Sequence, residues 1–299
     1  MRNAECQMRR EKWRSIHYLR AMQSIPGKHW FLILLLCAAC SQPAKKAKIT
    51  KPKAHGQLLR NISYDGGATK SIHVFVALCD NKYQGIVPVP AKIGNGQDPG
   101  NNLYWGNDYG VRTFFKRSKD WKLIETRKTT GTILERLVFK NTEKNYYLVA
   151  DAYDGRYIKQ TTKDFLHSCS GQLKDTLHAD NKTIGLNGNA GLLAYIGHDG
   201  MMDFRLTDTI ENTDGKIRDC IILACISKTY FSPFIKASKS YPLVWTTGLM
   251  CPEAYTLHDA VNAYVNGEPK EQVRASAVAA YKKYQKFGAG TDKLLVSGW

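Results

Sequence analysis

A chain of 299 residues, 43% of them hydrophobic, is long enough for one large α/β domain plus a tail, or for two small domains with real cores. Its formal charge of +17 invites a nucleic-acid reading, yet twelve Lys and Arg face two Asp and Glu through Lys53, and 31 face 24 afterwards. The later part therefore carries only about +7, with basic and acidic residues interleaved as on a solvated face, and no nucleic-acid partner is expected.

The basic excess sits in front of an apolar run. Lys28 precedes Trp30 to Cys40, a stretch shorter than the about 20 apolar residues that a transmembrane helix needs. This segment resembles the signal peptide of bacterial lipoproteins, which is cut before a cysteine that becomes diacylated. Cys40 matches that cysteine and Ala38 and Ala39 match the small positions, while Cys37 stands where Leu is usual. The resemblance implies a signal peptide over residues 1–39 with Met22 as an alternative start, lipidation at Cys40, and a lipid-anchored place in the bacterial cell envelope. The competing reading is an apolar anchor that is never cleaved. Residues 40–70, rich in Lys, Pro, Ala and Gly without apolar period, read as a flexible tether, and residues 71–299 as the folded domain.

Within the domain, strand and helix patterns alternate. Ile72 to Cys79 reads as a buried strand, Tyr109 to Arg117 as helix, Trp121 to Thr126 as extended, Thr132 to Phe139 as helix and Tyr146 to Ala150 as strand. Arg156 to Ser168 reads as helix, followed by apolar strands ending before His198 and Cys225 and a strand from Pro242 to Thr246. Pro252 suits the first turn of a helix running to Val265, closed by Asn266-Gly267, and a last helix spans Glu271 to Phe287. This order predicts an α/β fold, a mostly parallel sheet flanked by helices on both faces. The loop Gly94 to Gly100 is not a dinucleotide fingerprint, because Pro99 interrupts it and it lies far from the preceding strand. No two of Cys79, Cys169, Cys220, Cys225 and Cys251 fall in a C-x-x-C spacing, so neither a metal nor a cofactor is expected.

Two strand ends carry the chemistry. Leu192 to Ile196 runs into Gly197-His198-Asp199-Gly200, and Ile221 to Ala224 into Cys225-Ile226-Ser227. Parallel sheets react with ligands beyond the carboxyl ends of their strands, so His198 and Cys225 are expected on one rim. A thiol beside an imidazole is an activated nucleophile, which points to a cysteine hydrolase. Cys79 is the internal competitor, since it also ends an apolar strand.

The two blocks Tyr195 to Phe204 and Cys220 to Ser227 resemble the His block and nucleophile block of the caspase-fold cysteine peptidases, legumain and the GPI-anchor transamidase among them. The resemblance implies a caspase-like fold over residues 71–267, Cys225 as nucleophile and His198 as proton carrier. It also implies oxyanion donors at Asp199 or Gly200 with Cys225, Asn81 as the residue orienting the imidazole, and a peptide or protein substrate. Trp245, Thr246 and Thr247 are expected to wall the substrate pocket. Asp199 stands where Gly is usual, Leu223 where a polar residue is usual, and the 27 residues from His198 to Cys225 are few for the family. The alternative is a non-catalytic lipoprotein that uses the same fold as a binding or scaffold module.

Overall fold

The computed structural model describes residues 70–286, 288 and 290–299, so the signal peptide, Met22, Cys40 and the tether lie outside the described residues. The described part is an α/β structure around an eight-stranded mixed sheet. In chain order its elements are β1 (Lys70–Ala77), α1 (Val111–Arg117), β2 (Trp121–Lys128), β3 (Ile133–Asn141), β4 (Tyr146–Tyr153) and α2 (Ile158–Ser170). There follow β5 (Lys174–Ala179), β6 (Lys182–Asn187), β7 (Leu192–Gly197), β8 (Asp219–Leu223), α3 (Ser227–Ser238) and β9 (Tyr241–Thr246). The chain closes with α4 (Ala254–Val265), α5 (Lys270–Gln285), α6 (Thr291–Leu294) and β10 (Leu295–Val296).

The sheet order is β10-β9-β8-β7-β1-β4-β3-β2, with β5 and β6 forming a separate hairpin. The five strands from β9 to β4 run parallel, and the antiparallel pair β3–β2 and the short β10 border them. Continuous apolar runs make both faces of the central strands bury. On β1, Ile72, Val74 and Val76 face a core built with α1, α4 and α5, while Phe75 and Ala77 face a core built with α2 and α3. Each such fully buried Val, Ile or Phe contributes about 1.5–3 kcal/mol over its exposed state. No helix among the described residues is long and apolar enough to cross a membrane.

One expected helix is a strand. Residues 133–141 carry Glu135, Arg136 and Lys140 at spacings that suit a helix, but they form β3, with Leu137 and Phe139 in one core and Val138 in another. The charged residues have cross-strand and tertiary partners instead of helical ones. Arg136 lies opposite Asp151 of β4 and grips it with Nε–Oδ1 at 2.6 Å and Nη2–Oδ2 at 2.7 Å. His73 of β1 donates from Nε2 to the same carboxylate at 2.9 Å, because its Nδ1 accepts the Asn187 N–H at 3.0 Å. Burial works against the Asp151 charge, but Arg136 and His73 outweigh it and hold the carboxyl far below the usual range. Asn187 ends β6, so this network also fastens the β5–β6 hairpin, whose Leu177, Ile184 and Leu186 cover Val138, Tyr147 and Val149.

Candidate active site

The carboxyl ends of β1, β4, β7, β8 and β9 converge on one edge because these strands are parallel. Ile196 of β7 pairs with Leu223 of β8, and His198 and Cys225 each follow two residues later, so the two side chains leave neighbouring strands at the same level. Parallel neighbours lie about 4.8 Å apart, which brings the pair to one rim. On the other side of β7, Gly197 lets the strand end lie close against β1: its φ is +148°, and a Cβ there would stand 2.8 Å from the Ala77 carbonyl oxygen.

His198 is 6% exposed and is held from two sides. Its carbonyl accepts the Tyr195 hydroxyl at 2.8 Å, and its Nε2 lies 2.8 Å from Asp203 Oδ2. Asp203 Oδ2 also accepts the Gly85 N–H at 2.9 Å. Partial burial works to raise the Asp203 pKa, but the hydrogen bond and charge of His198, together with the Gly85 N–H, outweigh it and leave the carboxyl below its ordinary value. An ionised Asp203 fixes the proton on Nε2 and leaves Nδ1 as the nitrogen able to take another. The residue orienting the imidazole is thus Asp203 and not Asn81. The Asn81 amide is consumed within its own loop, donating to the Val89 carbonyl at 2.7 Å and accepting the Val89 N–H at 3.0 Å.

Gly85 has to be Gly for this contact, since a Cβ there would lie 2.2 Å from Asp203 Oδ1. Gly85→Ala is therefore expected to displace Asp203 from the imidazole and slow alkylation of Cys225 about tenfold. The urea midpoint should move little, because Gly85 lies in an exposed loop. Unchanged alkylation kinetics in this variant would show that Asp203 does not govern His198.

Cys225 sits in the turn between β8 and α3, where the positive end of the helix favours negative charge. The turn is strained and braced. Ile226, β-branched, is held at φ +52°, a left-handed conformation that costs of order 1–3 kcal/mol for such a residue. Ile226 N–H donates to the Gly248 carbonyl at 2.9 Å, Ser227 Oγ donates to the Ile222 carbonyl at 3.0 Å, and Ser227 N–H donates to Thr246 Oγ1 at 3.1 Å. Thr246 Oγ1 in turn donates to the Ala224 carbonyl, and its N–H donates to Ser227 Oγ at 2.9 Å. Around the sulfur, the Met250 N–H donates to Sγ at 3.4 Å and the thiol donates to the Met250 carbonyl at 3.5 Å. No hydrogen bond joins His198 to Cys225 among the described residues; such contacts are commonly loose in an unliganded site.

The pocket residues expected from the sequence are placed otherwise. Trp245 is wholly buried in the α2–α3 core, with its ring edge-on to Trp299 at 5.3 Å. Thr246 is the buried brace just described, and Thr247 donates to the Lys293 carbonyl at 2.6 Å, tying β9 to α6. Trp245 and Thr246 are thus too deeply buried to wall an open pocket, while Thr247 is exposed. The end of β9 is tied to the C-terminal segment, with Trp245 and Thr246 paired to Val296 and Leu295 of β10 and the Thr247 N–H donating to the Leu294 carbonyl at 3.0 Å.

Asp199 and Gly200 begin a short 3-10 turn directly after His198. Asp199 is fully buried, its Oδ1 accepts the Met201 N–H at 3.0 Å, and its Oδ2 has no partner among the described residues. Burial raises its pKa to about 7, with the Met201 N–H opposing and the Asp203 charge adding to the rise. A Cβ at Gly200 would strike the Phe204 ring at 2.6 Å, so this position packs the turn closely. Cys79 is buried with its N–H and carbonyl both bound by the Asn102 amide, at 3.0 and 2.9 Å, and does not compete as an exposed nucleophile. No cluster of three metal-ligating side chains occurs among the described residues.

Comparison with protein-family models, with curated proteins and with solved structures returned no match. The site is therefore read from its own geometry.

Proposed function

We propose that the chain is a membrane-tethered cysteine peptidase, or a related acyl-transfer hydrolase, with a caspase-like arrangement of Cys225 and His198. The observation that carries this reading is the in-register parallel pairing of β7 with β8, two residues before both reactive side chains. In the proposed reaction the Cys225 thiol gives its proton to His198 and the sulfur bonds to the scissile carbonyl carbon. The tetrahedral oxyanion is met by N–H groups of Asp199 or Gly200 and of Cys225. The C–N bond then breaks as the imidazolium protonates the leaving amine, and water hydrolyses the thioester. Asp203 steadies the imidazolium throughout.

The test is covalent labelling combined with peptide cleavage. Iodoacetamide should modify Cys225 ahead of the buried thiols Cys79, Cys169 and Cys220, and His198→Ala should slow this about 100-fold. A mixed peptide library should be cut by the native chain and left intact by Cys225→Ala. A labelling rate equal to that of an ordinary thiol, with no cleavage, would sink the enzyme reading. It would favour a non-catalytic binding module, which draws support from the double hold of Met250 on Sγ.

Tethering is tested separately. Cys40→Ser should release the protein from membranes or leave an unprocessed precursor. Unchanged size and detergent partitioning would rule out lipidation at that position.

A further inference from the structure

At the amino edge of the sheet, opposite the His198–Cys225 rim, the starts of β1, β4 and β7 and the segment before β8 enclose a cavity of about 380 Å³. Lys70, Tyr146, Lys216, Ile217, Arg218 and Tyr264 line it together with the Gly188–Gly191 turn. Its volume falls within the range of small-molecule sites.

Charge at the mouth is one-sided. Arg218 is 3% exposed and its guanidinium is matched by Asp214 at 2.6 and 3.1 Å and by the Gly188 carbonyl at 2.8 Å, so it forms a fixed floor. Asp219, the next carboxylate along, is engaged by Lys270 at 3.3 Å. Lys70 and Lys216 are exposed, and neither ammonium has a carboxylate partner among the described residues. Lys70 Nζ instead lies 5.4 Å over the Tyr146 ring, which meets the Tyr264 ring edge-on at 6.2 Å. The two tyrosine hydroxyls have no hydrogen-bond partner among the described residues. Beside them Ile217 is 74% exposed, a large apolar side chain left at the rim.

Two uncompensated ammonium groups and two uncommitted hydroxyl donors suit an anion with several oxygens, and the tyrosine faces and Ile217 suit an apolar body attached to it. We propose that this cavity binds a phosphate group carried on an apolar body. Such a group can come from a soluble organic phosphate or from a phospholipid headgroup.

Phenyl phosphate titrated into the full chain tests this, with binding read by calorimetry. Saturable binding with Kd at or below about 1 mM is expected, and inorganic phosphate and phenol should each bind at least about tenfold more weakly. The Lys70→Ala/Lys216→Ala double variant should weaken phenyl phosphate by about tenfold or more, with affinity less sensitive to salt. Both lysines are exposed, so the fold is not at stake. Dihexanoyl phosphatidylglycerol below its micellar concentration identifies the source: tighter binding than phenyl phosphate assigns the site to lipid, and weaker binding assigns it to a soluble phosphate. Cys225→Ala should bind as the native chain does, which keeps this result separate from the peptidase reading. No saturation by any of the phosphates, or an unchanged Kd in the double variant, would overturn the proposal.

Discussion

Asp203→Asn is expected to slow alkylation of Cys225 at neutral pH by about 100-fold while leaving the fold intact. An amide oxygen can still accept the His198 Nε2–H, so the 2.8 Å contact survives in shape and only the negative charge is lost. Without that charge the imidazolium is less stable, and the pH profile of labelling should shift as well as fall. A merely structural contact would leave the profile in place. Equal rates and superimposable profiles for the two proteins would remove Asp203 from the proposed machinery.

Asp199→Asn should stabilise the protein at pH 8 and have little effect near pH 4. The native carboxyl has its pKa raised by burial to about 7, against an ordinary value of 3.8. A group whose folded pKa lies above its unfolded pKa favours folding below the unfolded value, and that contribution is lost as pH rises through the folded one. The cost of ionising Asp199 therefore accumulates between about pH 4 and pH 7, reaching at most about 4 kcal/mol at 1.36 kcal/mol per unit. Asn keeps an oxygen for the Met201 N–H and carries no charge to bury. Urea unfolding at both pH values reads the effect: a gap of about 2–4 kcal/mol opening only at the higher pH is expected. Equal gaps at both would show that Asp199 is not titrating in the folded state.

The central strands were legible because each is a short apolar run bounded by Gly or polar residues, and their alternation with helices gave the parallel sheet. Legibility failed where long-range partners decide the outcome. In β3 the charges that mimic a helix belong to Asp151 and Trp105, which pairs with Glu135, and no local pattern announces partners on another strand or loop. α3 carries Pro233 inside it, a residue that normally argues against a helix, and its buried face comes from Phe231 and Ile235. In the site, His198 and Cys225 could be read from strand ends alone. Asp203 lay within the same block, five residues after His198, and a carboxylate at that distance was a signal available to be read. Gly85 was not, because its contact with Asp203 spans 118 residues of sequence. Asn81 was misassigned because strand-end position says nothing about how a loop uses up its own amide groups.

The braces around Ile226 bear on how portable such a strand-end thiol is. A graft of the two blocks onto another parallel sheet would carry His198 and Cys225 but would lack Thr246 and Gly248, which belong to the next strand and the loop beyond it. Left to itself, the segment from Cys225 to Ser227 would relax out of its left-handed kink and point the sulfur elsewhere. The smallest transplantable unit is therefore three adjacent strands and the start of one helix, and the placement of the Cys225 thiol is a property of that unit more than of its own strand.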